Sequence, residues 1–137
     1  MIVANRKPFE EIMEMLKPYK KILLLGCNEC VTVCSVGGAK EVAVLASEIR
    51  LSRLKNIIPV EIKEHTLERQ CDPEYALSIS SFVNDYEIII SMACGCGVQT
   101  IAETYREKYV VPAVNTTFMG SSEEHGVWRE KCQGCGN

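Results

Sequence analysis

The chain has 137 residues, 47% hydrophobic and 24% charged, with a net charge of −3 at pH 7. That length suits one domain, residues 1–137, around a single core and is too short for a barrel enzyme. The slightly acidic balance gives no basic face for nucleic acid or an anionic membrane. No apolar run approaches the ~20 residues of a membrane span, and the N-terminus carries no signal-like apolar core, so a cytoplasmic chain is expected.

Phe9, Ile12, Met13 and Leu16 recur at helical spacing between Pro8 and Pro18, which predicts an amphipathic first helix. Ile22–Leu25 is a continuous apolar run, the pattern of a strand covered on both faces. Val42, Leu45, Ala46 and Ile49 give the next helical stripe, and Ile57–Ile62 reads as a second strand that Pro59 assigns to a sheet edge. Asp72-Pro73-Glu74 is a helix start, with Ala76, Ile79, Ser80 and Val83 as its inner face. Glu87–Met92 is the third strand, Val98, Ile101, Ala102 and Tyr105 mark another helix, and Val110–Val114 is the fourth strand. From Asn115 the pattern turns loop-like, and residues 115–137 read as a cysteine-bearing tail.

Strands alternating with helices predict an α/β fold: a Rossmann-like parallel sheet of about four strands, ordered 2-1-3-4, with flanking helices. Ligands of such sheets gather at the carboxyl edge. Six of the eight cysteines fall in connections that leave that edge. Cys27, Cys30 and Cys34 follow strand one, Cys71 precedes the helix after strand two, and Cys94 and Cys96 follow strand three. Cys132 and Cys135 close the chain as a CxxC hook, placed to anchor the tail across the same rim or across a partner.

A cytosolic chain keeps its thiols reduced, so metal ligation is expected before disulfides. The same compartment makes the sequon at Asn115 a coincidence. An iron–sulfur cluster takes four thiolates, commonly three from one loop and one from elsewhere. Cys27, Cys30 and Cys34 fit the loop, and Cys94 is the best-placed remote ligand. Glycines 26, 37, 38, 95 and 97 flank these loops and would admit a bulky cluster. Zinc is the rival, because Cys27-x-x-Cys30 and Cys132-x-x-Cys135 resemble the two knuckles of a four-cysteine site. Cys71 is a further candidate ligand and Cys96 reads as a small buried residue. His65 and His125 stand in charged segments and read as solvated loop residues. Gly37-Gly38-Ala39-Lys40 lacks the dinucleotide and Walker patterns, so its glycines read as packing positions rather than a phosphate cradle. Trp128, in a polar tail, suits a partner anchor or a core position equally. No nucleophile–base pair or carboxylate pair stands out.

Taken together, Gly26-Cys-Asn-Glu-Cys-Val-Thr-Val-Cys-Ser-Val-Gly-Gly-Ala-Lys-Glu-Val42, Glu68-Arg-Gln-Cys-Asp72, Ser91-Met-Ala-Cys-Gly95 with Gly97-Val-Gln99, and Cys132-x-x-Cys135-Gly136 resemble the methylenetetrahydrofolate reductase C-terminal family. That family includes the small cysteine-rich accessory subunit of the anaerobic bacterial reductase, and the resemblance runs over nearly the whole chain. It implies Cys27, Cys30, Cys34, Cys71, Cys94, Cys132 and Cys135 as motif cysteines, with Cys96 less constrained. The family tail runs on as CxxCGxC, whereas this sequence stops at Asn137, where the next residue would be the third cysteine. The resemblance implies a non-catalytic component of an oxidoreductase of one-carbon metabolism. A flavin-containing catalytic subunit would supply the barrel and the folate site. This chain would hold a 4Fe-4S cluster that relays electrons to the flavin from an electron-donor protein. The alternative is a non-redox, zinc-braced docking subunit of the same complex.

Overall fold

A computed structural model describes residues 1–131. The chain runs β1 (Ile2–Arg6), α1 (Phe9–Leu16), β2 (Lys21–Cys27), α2 (Cys30–Val33), α3 (Ala39–Lys55), β3 (Glu61–Leu67), α4 (Pro73–Leu77), a 3-10 turn (Val83–Asp85), β4 (Ile88–Ser91), α5 (Gly95–Thr104), β5 (Tyr109–Pro112), β6 (Val114–Glu124) and β7 (Val127–Glu130). Strands β3-β2-β4-β5 form one sheet in that order, every pair parallel. This is the expected α/β arrangement and strand order, the central strand being the apolar run after Lys21.

Period-two alternation divides that run between two cores. Ile22 and Leu24 join Ile88, Ile90 and the α1 and α3 residues Ile12, Leu16, Val42, Leu45, Ala46 and Ile49 on one face. Leu23 and Leu25 join Ile89, Ala76, Ile79, Val83 and Ile101 on the other. Both faces of the sheet are therefore covered by helices, which is why an uninterrupted hydrophobic strand is stable at the centre. Ser80, expected on the inner face, is exposed. Among the described residues no helix is long and apolar enough to cross a membrane.

Two expectations are corrected. The second parallel strand begins at Glu61, four residues later than Ile57. Ile57 instead terminates α3: it takes φ 56°, and the Ile58 N–H donates back to the Arg53 carbonyl at 2.9 Å. This is the closing geometry usually given to glycine, and it pushes Pro59, which lacks a donor, into the connection. As an edge strand, β3 is only partly buried, so its sequence Glu-Ile-Lys-Glu-His-Thr-Leu shows no apolar run.

The second correction concerns the ends of the chain. Residues after Asn115 are not a loop: β6 pairs antiparallel with the N-terminal strand β1 and with β7, giving a three-stranded sheet ordered β1-β6-β7. Ile2, Ala4 and Val114 from this sheet pack with Cys27, Val31 and Ala93, so its inner face lies over the cysteine loop. Trp128 sits on edge strand β7, opposite Ser122, and is 47% exposed.

The carboxyl edge of the parallel sheet is tied by one buried side chain. Gln70 Nε2 donates to the carbonyls of Leu25 (2.8 Å) and Gly26 (2.9 Å), and its Oε1 accepts from the Ser91 hydroxyl at 2.7 Å. Ser91 Oγ in turn accepts from the Ala93 N–H at 3.2 Å. Every hydrogen of the amide is used, inside a region where an unpaired polar group costs ~1–3 kcal/mol. Gln70→Leu is expected to lower unfolding stability by about 2–4 kcal/mol through the carbonyls and hydroxyl it abandons. Urea denaturation measures this, and a loss below about 0.5 kcal/mol would show that the tie is dispensable.

Candidate metal centre

The cysteine loop begins where β2 ends. Cys27 is the last residue of that strand, and its N–H donates to the Gly37 carbonyl at 2.9 Å, closing the loop on itself. The Thr32 hydroxyl donates to the Cys27 carbonyl at 2.7 Å, and the N–H groups of Val36 and Gly37 both return to the Val31 carbonyl. These bonds hold the single turn α2, with Cys30 at its start and Cys34 at its C-cap. Cys71 directly precedes Asp72, whose carboxylate caps α4 by accepting from the Glu74 N–H at 3.0 Å. Cys94 is the N-cap residue of α5.

Cys27, Cys30, Cys71 and Cys94 line one cavity together with Glu29, Val31, Ala93 and Gly97. Four sulfurs thus reach one small space from three separate connections of the sheet. The cavity measures about 20 Å³, room for roughly one water-sized body. Among the described residues no three His, Cys, Asp or Glu side chains stand close enough to grip an ion as they are placed. Four cysteines thus line the cavity without their thiols being closed onto a common point.

Other expected ligands fall elsewhere. Cys34 does not line this cavity; its thiol donates to the Ile2 carbonyl at 3.3 Å, packed under β1. Cys96 is exposed on the first turn of α5 rather than buried. Cys132 and Cys135 lie outside the described residues. His65 is not a loop residue: it lies on β3, half-buried, with its ring edge-on to Phe82 at 5.4 Å. His125 is exposed in the β6–β7 turn.

The glycines serve the loops more than an incoming group. A Cβ at Gly37 would collide with the Met92 carbonyl and the Val31 side chain, and one at Gly97 would meet Ala93 and Gln70. Gly26 faces Val42 and Thr66 in the same way. The Gly38 N–H donates to Glu41 Oε2 at 2.9 Å, so the start of α3 is capped by its own carboxylate and not arranged around a phosphate. Gly95 alone of these five faces open space.

Burial sets the electrostatics. It pushes the Cys27 thiol above its ordinary pKa; the backbone N–H groups of Gln70 and Glu29 pull it partly back, and neighbouring Cys94 and Cys30 raise it again. Cys71 is raised by burial first and then by Cys94 and Cys27. Cys96 is raised by burial and by Cys94. Thiols crowded this way stay protonated at neutral pH, and a metal cation is what would let several ionise together.

Residues missed by sequence reasoning are Gln70 and Ser91, both fully buried. Their only signal was adjacency to Cys71 and to strand three, and a polar residue beside a motif gives no indication of whether it is buried.

Gly37→Ala should cost about 1–3 kcal/mol through overpacking, whereas Gly95→Ala should leave stability unchanged or slightly raised, since α5 gains a better helix former. Thermal melts of both variants check the contrast. A thiol raised in the fold ionises first in the unfolded chain. The reduced, metal-free chain should therefore keep its stability at pH 7–8 and lose it progressively above about pH 8.5. Tyr105, also raised by burial, acts in the same direction at higher pH. Urea midpoints across that range measure the loss, and Cys27→Ser should flatten it. No protein-family model, curated protein or solved structure matches the chain.

Proposed function

We propose that this chain is a metal-binding accessory subunit of a methylenetetrahydrofolate reductase complex in the cytoplasm. In this reading it holds an iron–sulfur cluster and passes electrons from a donor protein to the flavin of a separate catalytic subunit. The observation that supports it is the convergence of Cys27, Cys30, Cys71 and Cys94 on one cavity at the carboxyl edge. The motif resemblance supplies the partner and the reaction. The apolar, half-shielded setting under β1 suits a redox centre, because burial and N–H donors near the sulfurs are what tune a cluster's potential. The backbone N–H groups of Gln70 and Glu29 act to lower the Cys27 thiol pKa against the effect of burial.

One observation favours a second reading. A cavity of about 20 Å³ has the size of a single ion, onto which the thiols would have to close, whereas a cubane needs much more room. Four thiolates around one zinc would brace the three connections and carry no electrons. In that case the chain would be a docking subunit of the same complex.

Anaerobic purification followed by iron, zinc and acid-labile sulfide analysis separates the two. About four iron and four sulfide per chain, with absorption near ~400 nm, support the relay. Zinc without sulfide removes the redox role. Cys27→Ser, Cys71→Ser and Cys94→Ser should each lose metal from this centre, whereas Cys34→Ser should retain it. Full metal content in Cys27→Ser and Cys94→Ser would exclude a shared site.

A further inference from the structure

Helix α3 is apolar on two faces. Val42, Leu45, Ala46 and Ile49 bury one of them in the core. On the opposite face Val44, Leu51 and Leu54 stand 54%, 66% and 74% exposed, with Ser47 between them. Val44, Ser47, Leu51 and Leu54 follow one another at alternating steps of three and four, the heptad spacing of a helix seam rather than of a solvated face. The apolar surface continues past the helix end through Ile57, which is 91% exposed and held at φ 56°. A β-branched residue is an outlier at that angle, so the turn keeps an exposed isoleucine where glycine would be less strained. This end of α3 leads into β3 at the amino edge of the parallel sheet, a helix length of about 25 Å from the cysteine loop.

We propose that this face of α3 packs against the same face of a second copy of the chain, antiparallel, about a two-fold axis. Such an interface must be complementary to itself. Antiparallel pairing sets Val44 over the partner's Leu54 and Ser47 over the partner's Leu51, so each layer joins a smaller side chain to a larger one. The Ser47 hydroxyl already donates to the Ala43 carbonyl at 2.8 Å, so burying it leaves no donor unpaired.

Charge selects the second copy and its direction. One flank of the seam carries Glu41, Glu48 and Lys55, a heptad apart, and the other carries Arg50. In an antiparallel pair like flanks meet, which brings Glu41 of each copy to the partner's Lys55 in two opposite-charge contacts. Glu48 then meets the partner's Glu48, and Arg50 the partner's Arg50. Each of these is neutralised within its own chain, Glu48 by Arg6 at 2.7 Å and Arg50 by Glu64 at 2.6 Å. A parallel pair would instead set Arg50 beside the partner's Lys55, with no opposite-charge contact in return. The seam therefore matches its own reverse.

Sedimentation of the full chain across a dilution series tests this, run under reductant with and without EDTA so that neither thiol pairing nor metal decides the outcome. The expected result is a reversible, concentration-dependent rise to twice the 15.3 kDa of one chain. Leu51→Glu should weaken the dimer at least about tenfold. Because Leu51 is exposed, that variant should match the parent in circular dichroism and in metal content. Lys55→Glu and Glu41→Lys should each weaken self-association about three- to tenfold. An equimolar mixture of the two should regain it, since each crossed contact then joins opposite charges. Glu41→Lys gives up its bond to the Gly38 N–H, so Leu51→Glu and Lys55→Glu carry the test if it does not fold. A chain that stays monomeric at every concentration would overturn the proposal and leave the face to a different protein. A dimer that Leu51→Glu and Lys55→Glu leave unchanged, or folded charge variants that gain nothing on mixing, would overturn it too. None of these results touches the iron and sulfide measurement or the reading it tests.

Discussion

The amide of Gln70 joins three pieces of chain that covalent structure leaves far apart. It bonds the end of β2, its own loop after β3, and Ser91 at the end of β4. Those three pieces carry Cys27, Cys71 and Cys94. A parallel sheet sets the ends of its strands side by side but leaves the connections beyond them free to diverge. One satisfied amide in a dry setting removes that freedom, because divergence takes a partner from the Gly26 carbonyl and the Ser91 hydroxyl, while the Leu25 carbonyl keeps the Met92 N–H. The convergence of four thiols therefore depends on a residue that is not itself a ligand.

The second sheet gives the site its cover. β1 and β6 come from opposite ends of the sequence and meet over the cysteine loop, where Ile2, Ala4 and Met119 exclude solvent from one side. This placement also accounts for Cys34, whose thiol is turned toward the Ile2 carbonyl and away from the shared cavity. Three cysteines in a run of eight residues do not all line the cavity, since Cys27 ends β2, Cys30 opens α2 and Cys34 lies a turn further on, against β1. The same cover thus packs over Cys27, Cys30 and Cys94 of the cavity and over Cys34 beside it.

Redox and structural readings differ in what they ask of this arrangement. A relay needs a dry, hydrogen-bonded set of sulfurs close to the surface on which the partner docks. A zinc brace needs only four donors at tetrahedral separation. The fold supplies the burial, the donors from Gln70 and Glu29, and the four sulfurs. The raised thiol pKa values mean that either metal must displace protons as it binds, so loading and proton release are coupled.

The amino-acid sequence by itself determined the parallel sheet, its strand order and the placing of Cys27, Cys30, Cys34, Cys71, Cys94 and Cys96 in the connections at one edge. Continuous apolar runs and helical stripes report burial on both faces of a sheet, and those are local patterns. It did not reveal that Ile2–Arg6 and Val114–Glu130 are strands. β1 pairs with β6 from more than a hundred residues away, and one-sided burial leaves polar residues such as Thr116, Thr117 and Ser121 in the β6–β7 pattern. It missed Gln70 and Ser91 for a related reason, since a buried polar side chain looks like a loop residue until its acceptors are in place. It did not reveal that the Cys34 thiol meets the Ile2 carbonyl rather than the cavity of Cys27 and Cys30, because spacing along a chain gives separation without direction. Tertiary structure alone decided which thiols share a cavity and what covers them.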